Sequence, residues 1–211
     1  MPDEDLRAKL IVPDTGPLIT LAAADSLDYL LYPGVPVYVP DAVLYEATIR
    51  GDALGAQSIA EWAQGHSQQV FPLVTQTFAD HLAMVDAGLK TPRDLSERAA
   101  IEAIRHALVL GKDERAIFIT EDDRLLTGTY VVLDQDRDRM ISITTWDFLE
   151  GLEEAHRINS AEEVYRRAED AGRLASRRAA LAAAHERAIA AVKDLLRRPR
   201  EEPDREQGAE P

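Results

Sequence analysis

Among 211 residues there is not one cysteine, which excludes disulfides, thiolate metal sites and cysteine nucleophiles and suits a reducing cytosol. Any metal ion must then be held by oxygen or imidazole. Histidine is scarce as well, five in all, and no two fall at the spacing of a metal-binding pair, so His66, His81 and His106 read as structural. Long apolar runs are missing: nothing approaches the roughly 18 residues needed to span a bilayer. Met1-Pro2-Asp3-Glu4-Asp5 has neither the basic nor the apolar region of an export leader, and the expectation is an unexported, cytoplasmic protein.

Basic charge is also short. Lys and Arg number 24 against 38 Asp and Glu, a net charge of −14, which argues against a protein that coats nucleic acid by counterion release alone. The deficit is uneven: residues 1–150 hold 25 acids and 12 bases, net −13, whereas 151–211 hold 13 and 12, net −1. Length and charge together suggest one body over 1–150, a helical extension over 151–198 and a disordered, charged tail over 199–211.

What is present is an alternation of strands and helices. Leu10-Ile11-Val12-Pro13 is a β-branched run that breaks at Asp14-Thr15-Gly16-Pro17 into helical spacing as far as Leu31, so a strand hands one carboxylate to a helix start. Val35 to Pro40 reads as a second strand, and Asp41 caps a helix to Ile49. Helices near 52–64 and 77–87 flank a strand near 69–74. A helix over 95–110 precedes a buried strand, Ala116 to Thr120, which ends in Glu121-Asp122-Asp123. Met140 to Thr144 is a last strand, followed by a helix from Trp146. Trp62 and Trp146 read as packing anchors. From Ser160, paired with Glu163 as a capping box, one long helix is expected to about Arg198, its apolar seam interrupted at Arg178 and His185. Alternation of this kind predicts an α/β fold with a mostly parallel sheet.

In such a sheet the strands bearing Asp14 and Asp122 can adjoin at the topological switch point, where ligands bind. Two more acids, Glu46 and Glu97, sit early in helices. Converging carboxylates repel unless a cation neutralises them, and an all-oxygen site suits Mg²⁺ or Mn²⁺. Each acid also has a plainer reading. Asp14 can cap the following helix, Glu46 can lie on a solvated face, Glu97 can close a capping box with Asp94, and Asp122-Asp123 can be a charge pair at a helix start. Thr15 and Thr120 are candidate phosphate or water contacts, or local caps.

Four stretches taken together resemble the PIN-domain nucleases, and among them the VapC-type toxins of toxin–antitoxin systems. They are Val12-Pro13-Asp14-Thr15-Gly16-Pro17-Leu18-Ile19-Thr20-Leu21, Val37 to Glu46, Asp94-Leu95-Ser96-Glu97-Arg98-Ala99-Ala100-Ile101, and Ile119-Thr120-Glu121-Asp122-Asp123-Arg124. The similarity covers residues 10–150, with Ile141 to Leu149 like the family's closing strand and helix. It implies a three-layer α/β/α PIN-like domain, and catalysis by Asp14, Glu46, Glu97 and Asp122 around Mg²⁺ or Mn²⁺. Asp123 is the reserve ligand. The implied substrate is RNA, cut as an endoribonuclease cuts it, and the implied partners are a second copy of the chain and a small antitoxin. Two other functions fit the same residues: a non-catalytic PIN-like interaction protein, and a PIN-like nuclease acting on DNA. An acidic stretch at Asp134, Asp136 and Asp138 and the helix from Ser160 lie outside the family pattern. The arginines of that helix, among them Arg166, Arg167, Arg173, Arg177 and Arg178, have two readings: a solvated charged face, or a surface that offers RNA or a partner the positive charge the body lacks.

Overall fold

The computed structural model describes residues 7–92, 94–107, 110–111, 114–122, 139–174 and 182–197. Asp123, the acidic stretch through Asp138, the undecided segment Tyr130–Leu133, Arg177, Arg178 and the tail lie outside the described residues.

Five strands, β1 (Arg7–Pro13), β2 (Val37–Pro40), β3 (Val70–Leu73), β4 (Glu114–Ile119) and β5 (Met140–Ile143), form one sheet in the order β3-β2-β1-β4-β5. Every pairing is parallel. The chain moves outward from β1 through β2 to β3, then returns to the opposite side of β1 with β4. The reversal of winding therefore falls between β1 and β4, where Pro13 stands level with Ile119.

The strand residues alternate between two buried faces, as a sheet covered on both sides requires. On one face Ile11, Val37, Ile117 and Ile143 join a core with helices α1 (Thr15–Ala23) and α3 (Ala56–Gly65). On the other, Leu10, Val12, Ala116 and Phe118 meet Ala100, Ile101 and Ile104. These three belong to α5 (Leu95–Glu102) and to the π-helical turn Ala103–Ala107 that continues it. Helix α2 (Asp41–Thr48) packs on α5 through Ala42, Leu95 and Ala99. Helix α4 (Gln76–Asp86) is capped by the Thr75 side chain. The Thr75 hydroxyl in turn donates to Asp41 at 2.7 Å, tying the starts of α2 and α4 together.

The long helix expected from Ser160 is two helices, α7 (Ala161–Asp170) and α8 (Ala182–Arg197). The break is built at Gly172, whose φ of +93° is open to glycine and strained for other residues. Its N–H reaches the Glu169 carbonyl while Arg173 N–H reaches that of Ala168, the paired bonds of a Schellman stop. Heptad periodicity carried through this point because alanine and arginine flank it on both sides. A smaller correction concerns the segment 18–31: α1 ends at Ala23, and after Asp25, at φ +51°, the chain continues as a 3-10 turn over Leu27–Leu31.

Both C-terminal helices bury apolar side chains in the same core as β1. Val164, Tyr165 and Ala168 of α7 and Ala188, Val192 and Leu195 of α8 all belong to it. Helix α6 (Thr145–Glu154) lies beneath α8, and the approach is close at Gly151, where an added Cβ would stand 2.7 Å from that of Val192. Trp146 packs edge-on to Tyr165, ring centroids 5.1 Å apart, and Trp62 is buried with its indole N–H donating to Asp28. Among the described residues no helix is long and apolar enough to cross a membrane.

Candidate acidic site at the switch point

Asp14 leaves β1 and caps α1. Its backbone N–H donates to Ile119 O at 2.8 Å, which extends the β1–β4 pairing by one step. The residue is 5% exposed. Thr15 N–H donates to its Oδ1 at 2.8 Å and the Thr120 hydroxyl to its Oδ2 at 3.1 Å. Burial pushes the Asp14 carboxyl above its usual range, the nearby Glu46 charge adds to this, and bonds from Thr15, Thr120 and Ser96 oppose it. So Asp14 is a helix cap and a desolvated acid at once; its plainer reading does not displace the other.

Glu97 comes from the first turn of α5. Burial first, then the charge of Asp14 and a shared hydrogen bond and repulsion with Asp122, raise its carboxyl to about 7. Two carboxyl groups that share a hydrogen bond need one proton between them, so the Glu97–Asp122 pair keeps a proton to higher pH than a free carboxylate does. Asp122 is set by the bond from its backbone N–H to the Thr120 hydroxyl, 3.1 Å. Glu46 reaches in from α2 and accepts the Thr15 hydroxyl at 3.3 Å. Thr120 thus ties the end of β4 to Asp14 at the end of β1, and Thr15 ties Asp14 to Glu46 of α2. The structure brings Asp14, Thr15, Glu46, Glu97, Thr120 and Asp122 to one edge. It does not close three of these acids to within 4.8 Å of one another; among the described residues the group that does so is Asp147, Glu150 and His185.

Glu121, between Thr120 and Asp122, turns the other way. It accepts from Thr20 at 2.8 Å, Thr145 at 2.9 Å and Arg173 Nη2 at 2.9 Å. Arg173, delivered by the Gly172 turn, also donates to the Thr20 hydroxyl and to Gly16 O. Its carboxylate partner is only 11% exposed. Arg173 is therefore tied to α1 and to the end of β4. Arg167 donates to Ser26 and Arg166 pairs with Asp170 on its own helix, so these arginines make contacts within the chain.

The Asp147–Glu150–His185 group was not anticipated. Asp147 and Glu150 sit three apart on α6, a spacing visible in the sequence, but His185 is distant in sequence and marked only an interruption of a seam. Thr144 and Asp147 form a reciprocal capping box: Asp147 N–H to Thr144 Oγ1 at 2.9 Å, Thr144 N–H to Asp147 Oδ2 at 3.0 Å. The remaining oxygen, Oδ1, lies 2.6 Å from His185 Nδ1. The bond to Asp147, ahead of the charges of Glu150 and Glu154, raises the imidazole above its usual range although partial burial opposes it.

No family model matches the chain, and neither a curated protein nor a solved structure matches it.

Proposed function

We propose that the chain is a metal-dependent ribonuclease of the PIN type, with Asp14, Glu46, Glu97 and Asp122 as its acidic site. The observation that supports this most is Glu97: a carboxyl raised to about 7 by burial and by Asp14 and Asp122, at the crevice where open α/β sheets bind ligands. Perturbed acids in such a position are functional candidates on physical grounds.

The donor set fits a hard divalent cation. Every contributing group is a carboxylate or hydroxyl oxygen, the chemistry preferred by Mg²⁺ and Mn²⁺. Asp14 and Asp122 would hold the ion, with Glu97 and Glu46 completing its surroundings. What such an ion supplies is activation of water and neutralisation of charge on a phosphodiester. The chain's own residues prepare the place. Thr15 N–H and Thr120 Oγ1 fix both oxygens of Asp14, Thr15 Oγ1 aims Glu46, and Glu97, which shares its proton with Asp122, would become a further oxygen donor once deprotonated. Single-stranded or looped RNA is the proposed substrate, since unstacked bases suit a shallow crevice. An antitoxin partner and a homodimer belong to the same reading.

Purified chain should cleave single-stranded RNA in Mn²⁺ and stop in EDTA, with DNA of the same sequence spared. Asp14→Asn should lower cleavage by roughly 100-fold or more and leave the circular dichroism spectrum unchanged. Undiminished cleavage by that variant would refute the mechanism, and preferential cutting of DNA would change the substrate.

A further inference from the structure

Away from the switch point, helices α6 and α8 bring together three groups that the proposed nuclease does not use. Asp147 Oδ1 faces His185 Nδ1 at 2.6 Å, and His185 Nε2 faces Glu150 Oε2 at 3.4 Å. The two contacts differ in kind. The first is a short hydrogen bond in which the imidazole N–H donates to a fully buried carboxylate. The second is no hydrogen bond: Glu150 Oε2 is shielded from solvent and has no hydrogen-bond partner among the described residues. A carboxylate oxygen hidden from water and unbonded is costly unless something else satisfies it.

We infer that Glu150 and His185 form a binding site for a borderline divalent cation, zinc in the first instance, which clips α8 to α6, and that Asp147 positions the imidazole. Three observations converge. When a carboxylate accepts the Nδ1 proton of a histidine, it fixes the tautomer whose Nε2 lone pair is free for metal, and it raises ring basicity. Asp147 makes that bond, and its own position is fixed by the capping box with Thr144. Next, two donors each about 2.0–2.1 Å from a tetrahedral zinc stand about 3.3–3.4 Å apart, the separation of Nε2 and Oε2. Finally, a path exists: Glu150 lines a surface cleft with Glu153, Glu154 and Asn159, and His185 lines the adjoining one with Glu154 and Lys193. Both clefts open to solvent, and since Oε2 itself is covered, a small turn of the Glu150 carboxylate toward its cleft would let water fill the remaining positions. Imidazole with carboxylate selects zinc, cobalt or nickel over Mg²⁺, which separates this site chemically from the all-oxygen crevice. Asp147 is the positioning residue, Glu150 and His185 the ligands.

The test uses the full chain carrying Asp14→Asn, so that binding at the switch point does not contribute. Co²⁺ serves as the spectroscopic probe and Zn²⁺ as its competitor. The expected result is a visible absorption band for His-ligated cobalt, bleached by Zn²⁺, with Zn²⁺ affinity weakened at least tenfold by His185→Gln and also by Glu150→Gln. Glu150 is partly exposed on α6, so its variant keeps the fold if the histidine variant does not. Absence of the band, or Zn²⁺ affinity within twofold of the parent in folded Glu150→Gln, would overturn the inference and leave a protonated His185 bridging two acids. RNA cleavage plays no part in the readout, and the outcome is independent of the nuclease reading.

Discussion

At the scale of the residue, the acids at the switch point are held in a state that costs free energy without a cation. Glu97 illustrates the sign. Its folded-state value of about 7 lies above its ordinary 4.5, so between those values the folded chain binds more protons than the unfolded one, and stability falls as pH rises through that window. Asp14, also raised, acts in the same direction. Without divalent ions, stability of the wild type should therefore decline more steeply from pH 5 to pH 7 than that of Glu97→Gln, measured by urea unfolding. Mn²⁺ competes with the Glu97 proton, so its affinity should rise up to about tenfold per pH unit below 7 and level off above, with the slope flattened in Glu97→Gln. Thr120 acts through two bonds, accepting from Asp122 N–H and donating to Asp14. Thr120→Val keeps the shape, removes both, and should cost about 1–3 kcal/mol.

At the scale of the element, the order of strands and acids was legible because it rests on local chemistry. A β-branched run ending in Asp14-Thr15-Gly16-Pro17, and another ending in Thr120-Glu121-Asp122, mark strand ends wherever they pack, and the parallel register of Pro13 with Ile119 follows from placing those strands side by side. What stayed hidden was contact between distant segments. Nothing near Arg173 indicates that it binds Glu121, and nothing near His185 indicates Asp147; both partners come from loops and helices more than thirty residues earlier. Gly172 was visible but outweighed by alanine-rich periodicity on either side. Two variants test these joints. Arg173→Ala strands the Glu121 carboxylate among Thr20 and Thr145 and should destabilise the chain by about 2 kcal/mol, read from chemical unfolding. Gly151→Ala drives a methyl group against Val192 and should cost about 1–3 kcal/mol as α8 is pushed from α6.

At the scale of the whole molecule, the C-terminal helices belong to the core that supports the site. Tyr165 and Ala168 of α7, and Val192 and Leu195 of α8, are buried with Ile11 and Ile117. Through Arg173 the same segment reaches the strand end that carries Asp122. A chain cut after residue 159 should therefore lose its cooperative unfolding transition and bind hydrophobic dyes, as expected when a large apolar surface is uncovered; a cooperatively folded truncated form would show that these helices are dispensable. The charge distribution has a matching consequence. With Arg167 and Arg173 engaged within the chain and Arg166 paired with Asp170 on its own helix, these three offer RNA less free charge than their number suggests. The attraction proposed here draws also on a cation at the acidic edge.

That cation is the central claim, and anomalous scattering from a crystal soaked in Mn²⁺ tests it most directly. The account predicts a manganese peak bounded by Asp14, Glu97 and Asp122, with Glu46 turned toward it, and its loss in Asp14→Asn. Saturating Mn²⁺ with no peak at that edge would contradict it.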